Sequence, residues 1–136
     1  MYNWVRLTIR HREELAIPNL AQGSNQTITI TPFWTGTVYP EAYAVFIDYN
    51  RDGDFIDAGE TVFFFFSSTA TSIVGIFIVP ATATLGSTRM RVSMKYNGIP
   101  TSCEVFDFGQ VEDYTVNIVG SNTVVTTKLY IEGFYD

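Results

Sequence analysis

Cysteine is almost absent from this chain of 136 residues: Cys103 stands alone. No disulfide can form within the chain, and zinc sites of the cysteine-rich kind are excluded. Histidine is as scarce, with only His11. No serine or cysteine has a local histidine partner, so a nucleophile–histidine triad is not expected. Lysine occurs twice and leucine five times. Charged residues make up 16% of the chain, against about 25% in average globular proteins. The net charge of −6 argues against general affinity for nucleic acid or for an anionic membrane. Long apolar runs are missing too. Val62–Phe66 and Ile76–Val79 fall far short of the about 18 residues that a membrane-crossing helix needs.

What the chain does have is threonine, valine and isoleucine, at 17, 13 and 12 residues, a composition that favours strands over helices. Its length suits one domain with one core. Strand patterns separated by Gly, Pro, Asn and Asp cover Tyr2–Ile9, Gln26–Thr31, Ala42–Asp48, Val62–Phe66, Ile73–Val79, Thr88–Tyr96, Val111–Val119 and Thr123–Ile131. The wholly apolar Ala42–Asp48 and Val62–Phe66 read as central strands covered on both faces. On an open edge, the four-phenylalanine run would be an aggregation hazard. His11–Leu20 is compatible with one helical turn, ended by Pro18. About eight strands with these turns predict an all-β fold, an antiparallel β-sandwich of jelly-roll type. Residues 1–122 form the domain, and 123–136 read as a terminal strand at which a following segment begins. Met1–Arg6 has no apolar core of a secretory signal, as expected of a cytoplasmic chain or of a piece of a longer exported one.

The charge is concentrated in one place. Residues 48–60 hold Asp48, Asp52, Asp54, Asp57 and Glu60 against Arg51 alone. Asp48, Asn50 and Asp52 put an oxygen-bearing side chain at positions 1, 3 and 5, and Gly53 follows at position 6. That is the first half of the Ca²⁺ loop of helix-loop-helix sites. Hard cations take six to eight oxygens, and alternate side chains of a tight loop can aim inward to supply them. Gly53 permits the sharp bend. Position 7, Asp54, would contribute its carbonyl, and Glu60 would close the site at position 13 rather than 12. Strands, not helices, flank the loop. The expected site is therefore a hairpin-like Ca²⁺ loop with Asp48, Asn50, Asp52, Asp54 and Glu60 as ligands, and Asp57 and Glu112 as further candidates. Mg²⁺, which keeps several waters, suits so many protein oxygens less well. The plain alternative is a solvated acidic turn.

Phe46–Phe55 with Gly59-Glu60, then Gly75–Pro80, Thr88–Met94 and Phe108–Val116, together resemble the GEVED domain over about residues 26–119. The naming motif reads Gly109-Gln110-Val111-Glu112-Asp113 here, with Gln in place of the first Glu. The resemblance implies a non-catalytic β-sandwich module of larger secreted or cell-surface bacterial proteins, working beside neighbouring domains. It implies an extracellular location and an adhesive or structural role, with a protein or glycan as partner. It also implies that Cys103 has either lost a partner cysteine outside this sequence or is a free buried thiol.

Three further constellations bear on function. Glu112 shares strand parity with Tyr114, Val116 and Ile118, so it needs a partner on an apolar face: the cation, or Arg89 or Arg91. Asp113 reads as a surface or turn-capping residue. Glu104, Asp107, Glu112 and Asp113 include the makings of a glycosidase acid pair, but short loops leave little room for a cleft, and no catalysis is expected. Trp34, Tyr39, Tyr43 and Tyr96 would form a sugar-binding platform if exposed, which makes a carbohydrate-binding module with a structural Ca²⁺ the alternative reading.

Overall fold

Alternation of side chains along each strand decides which residues meet in the interior. The computed structural model describes residues 5–10, 17–34, 36–123 and 128–135. Its strands are β1 (Val5–Arg10), β2 (Asn19–Ala21), β3 (Asn25–Thr31), β4 (Glu41–Ile47), β5 (Thr61–Ser68), β6 (Ile73–Ile78), β7 (Gly86–Tyr96), β8 (Gly109–Val119) and β9 (Lys128–Tyr135). One sheet runs β1-β9-β3-β6 and the other β2-β8-β7-β4-β5. The chain hops repeatedly between the two, which makes the sandwich jelly-roll-like. The β4–β5 and β7–β8 hairpins each stay within one sheet. Within the sheets β2 runs parallel to β8 and β3 parallel to β9, where an antiparallel sandwich was expected. The segment 123–136 contributes β9, which lies between β1 and β3.

The short β2 had no sequence signal of its own. Its three residues are held by parallel pairing with Asn117–Val119. The helical turn expected over His11–Leu20 lies mostly outside the described residues, and Asn19 and Leu20 at its end are strand.

Between the sheets, Ile28, Ile30, Leu129 and Ile131 face Tyr43, Val45, Ile47, Met90, Val92 and Met94, all fully buried. Burying each such side chain contributes about 1.5–3 kcal/mol. Every residue of β4 is buried, as its unbroken apolar run predicts. Its outward residues Ala44 and Phe46 are covered by Phe55 from the acidic loop and by Ile99 from the β7–β8 connection.

The phenylalanine run departs from expectation. It is the edge of its sheet, not a central strand. Register pairs Phe63 with Val45, which packs it against the core, and Phe65 with Tyr43, where it remains 39% exposed. Phe64 and Phe66 point outward and are 52% and 71% exposed. An apolar run says that a strand is wanted in a sheet, but not how many neighbours it gets. Phe63 reaches across to β6, where a Cβ added to Gly75 would lie 2.5 Å from its ring. Gly75→Ala is accordingly expected to cost about 1–3 kcal/mol by overpacking, read as a lower midpoint in urea at unchanged slope.

Candidate metal centre

The acidic loop, residues 48–60, joins β4 to β5. Its backbone is held by its own carboxylates. The Asp48 carboxylate accepts from the amides of Asp52 (3.2 Å) and Gly53 (2.9 Å). Asp52 accepts from the Asp54 amide (3.2 Å), and Asp54 from that of Ile56 (3.1 Å). Gly53 takes φ 94° and Arg51 φ 56°. A Cβ at Gly53 would meet nothing within 4 Å, so the bend needs glycine for its left-handed dihedral and not for space. At the far end, buried Glu60 accepts from the Tyr49 amide (2.8 Å) and from that of Asp57 (3.4 Å).

This winding brings Asp52, Asp54, Asp57 and Glu60 together. Each offers a carboxylate oxygen, and all four oxygens lie within 4.8 Å of one another. The group can hold a metal ion. Asn50 sits among them, donating its amide to Asp57 (2.8 Å) and Asp52 (3.2 Å). Rotating that amide by half a turn presents its oxygen instead. Asp48 serves the loop backbone and is outside the four. Asp54, expected to act through its carbonyl, brings its carboxylate. Glu112 lies on β8, accepts from the Gln110 amide (2.8 Å), and is not in the group.

Crowding shows in the titration of these groups. Burial holds the Glu60 carboxyl above the usual carboxylate range, with the nearby Asp48 charge adding to it, although three backbone amides pull the other way. At Asp57 the Asn50 amide favours the charged form. The hydrogen bond with Asp52, burial and the Asp52 and Asp54 charges outweigh it and raise the group. Asp52 is lowered, first by the Asp54 amide. Two oxygens thus compete for one proton, as close carboxylates do.

Beside the loop lies an open groove of about 550 Å³ between it and the outer face of β7 and β8, with Arg51, Arg89 and Asp113 among its walls. A clamp unread in the sequence closes this face. Arg91 forks onto Asp113 (2.7 and 2.9 Å), donates to the Ser102 carbonyl (2.8 Å), and lies 5.0 Å from the centre of the Phe55 ring. One guanidinium therefore ties the acidic loop, β8 and the β7–β8 connection together. The partner of Arg91 is Asp113, not Glu112, because Arg91 stands directly opposite Asp113 on the outer face while Glu112 faces inward beside Val92. Arg89 also reaches Asp113, at 3.6 Å. Asp113 is thus a cross-strand ion-pair residue. Gly109, two turns of the pleat earlier, is needed because a Cβ there would come 2.2 Å from the Met94 carbonyl oxygen.

The sugar platform does not assemble as expected. Tyr43 is fully buried in the core. Trp34 donates to Glu41 (3.1 Å), and Tyr39 packs edge-on to Tyr96 at 5.9 Å. Cys103 is exposed, not a buried thiol.

A two-sheet β module with a carboxylate-rich hairpin loop at one end is the class that fold and site define. The GEVED domain family model matches residues 42–117, more than half of the chain, and the chain belongs to that family. No curated protein and no solved structure matches it. Within the family's naming motif, Gly109 makes room for the Met94 carbonyl and Asp113 anchors Arg91. No helix among the described residues is long and apolar enough to cross a membrane.

Proposed function

We propose that this is a non-catalytic accessory module of a larger secreted or cell-surface protein, and that Ca²⁺ bound by its acidic loop fastens the β4–β5 hairpin to the sandwich. The observation that carries the reading is the convergence of four carboxylates within 4.8 Å on a loop already wound by its own amide hydrogen bonds. The donor set is all oxygen, which suits a hard cation, and the count of protein oxygens favours Ca²⁺ over Mg²⁺. Asp52, Asp54, Asp57 and Glu60 would hold the ion, with Asn50 in reach after its amide rotates. A bound dication neutralises charges whose repulsion the loop otherwise bears. A loop stiffened at one end of the sandwich supports a structural role, and the family membership supports an accessory one. Two carboxylates once eligible for acid–base work are in ion pairs, Glu104 with Lys95 and Asp113 with Arg91, which supports a module without catalysis.

Ca²⁺ added to ¹⁵N-labelled protein is expected to move the amide resonances of residues 48–60 most and to leave those of β3, in the opposite sheet, in place. Shifts spread evenly over the chain, or none, refute the loop as the site. The effect also depends on pH. Asp57 and Glu60 are raised in the fold. Without metal, the cost of ionising them is absent below the ordinary carboxylate range, about pH 4. It accrues as pH rises through their folded pKa values. Ca²⁺ removes that cost, and protons compete with it. The Ca²⁺-induced rise in melting temperature is therefore expected to be larger near neutrality than near pH 4–5. An equal rise at both pH values contradicts carboxylate ligation.

A further inference from the structure

One edge strand of each sheet, β5 and β6, lies on the same side of the sandwich, where Phe63 meets Gly75. Among the described residues β5 pairs only with β4, and β6 only with β3. Natural edges are guarded by lysine, proline or inward-pointing charge. Here no charged residue and no histidine occurs between Glu60 and Arg89, a stretch that contains both edge strands whole. The outward side chains are large and apolar instead: Phe64 and Phe66 on β5, and Val74, Ile76 and Ile78 on β6, at 59%, 68% and 63% exposed for the last three. Phe64 and Phe66 already pack edge-to-face at 6.1 Å.

We propose that this edge is an interface with a second copy of the chain, formed by antiparallel pairing of β5 with the partner's β5 about a twofold axis. Three observations select that occupant. The edge is uncharged, so an identical edge opposes it without like-charge repulsion, and an isologous contact asks for that self-complementarity. A twofold through Phe65 sets Phe65 opposite its own copy and Phe64 opposite the partner's Phe66, so aromatic side chains meet across the pair on the same face, a favourable cross-strand arrangement. Antiparallel pairing also sets the two Thr61 ends apart, and with them the two acidic loops. Across an eight-residue strand the separation is roughly 25 Å, beyond the Debye length of about 8 Å in physiological salt.

The test is the mass of the whole 136-residue chain by sedimentation velocity and light scattering, from micromolar to submillimolar concentration. The proposal expects a closed equilibrium between 15.3 kDa and twice that mass. Phe64→Lys and Phe66→Lys change exposed side chains, so each is expected to keep the wild-type circular dichroism and to stay monomeric where the wild type is dimeric. A wild type that remains monomeric throughout overturns the proposal and leaves the edge to a different partner. So does a mass that grows without limit, and so do dimers that both lysine variants form as readily.

Discussion

Calcium at a hundredfold excess over its dissociation constant is expected to raise the unfolding midpoint of this protein by about 10 °C. Binding to the folded state alone contributes about 2.7 kcal/mol under those conditions. For a domain of this size, 1 kcal/mol corresponds to roughly 4 °C. Extracellular sites of this kind bind at about 10⁻⁴–10⁻³ M, so ten millimolar Ca²⁺ is the regime in which to look. Asp52→Ala is expected to abolish the rise. Asp52 is exposed and its carboxylate holds only partners in the loop, the Asp54 amide and the Asn50 side chain, so its removal relieves crowding in the metal-free loop while taking away a ligand. The separable outcome is a metal-free midpoint close to the wild type's and a lost response to Ca²⁺. Buried Glu60 is a poorer probe, because its carboxylate also holds the amides of Tyr49 and Asp57.

Arg91→Ala is expected to destabilise the fold by about 2 kcal/mol, a fall of roughly 8 °C in midpoint. The side chain is largely covered, at 21% exposure. Its loss removes a forked pair with Asp113, a hydrogen bond to the Ser102 carbonyl and the cation over Phe55. It also leaves Asp113 with only the longer contact to Arg89. Arg91→Lys keeps the charge but not the planar fork, and is expected to recover less than half of the loss. A double-mutant cycle with Asp113→Ala isolates the pair from the packing. A coupling near zero would mean that Arg91 acts through Phe55 and Ser102 alone. Because Phe55 belongs to the acidic loop, Arg91→Ala is also expected to weaken Ca²⁺ binding without removing a ligand.

Local pattern carried much of this structure, and its failures share one cause. The interior of β4 was legible because every residue of Ala42–Ile47 is apolar. The inward face of β8 was legible from the parity of Glu112, Tyr114, Val116 and Ile118. Both follow from period-two alternation, which is a local property. Phe63–Phe66 has the same local signal as β4, yet β5 ends a sheet, because strand order depends on which distant segments pair. The Arg91–Asp113 clamp was invisible for a like reason. It rests on a register across the whole β7–β8 connection, and nothing in residues 97–108 announces that register. In the acidic loop the ligand types were readable and their roles less so. Alternate oxygens at 48, 50 and 52 suggested a helix-loop-helix order of ligation. The strand-flanked loop instead spends Asp48 on its own amides and draws Asp57 and Glu60 in from the return limb.

Calorimetric titration of Ca²⁺ into chelator-stripped protein decides whether the β4–β5 loop is a Ca²⁺ site. The prediction is one ion per chain at submillimolar affinity, weaker binding of Mg²⁺, and no Ca²⁺ heat for an Asp52→Asn, Asp57→Asn double variant whose circular dichroism matches the wild type. No binding by the wild type, or undiminished binding by the double variant, contradicts it.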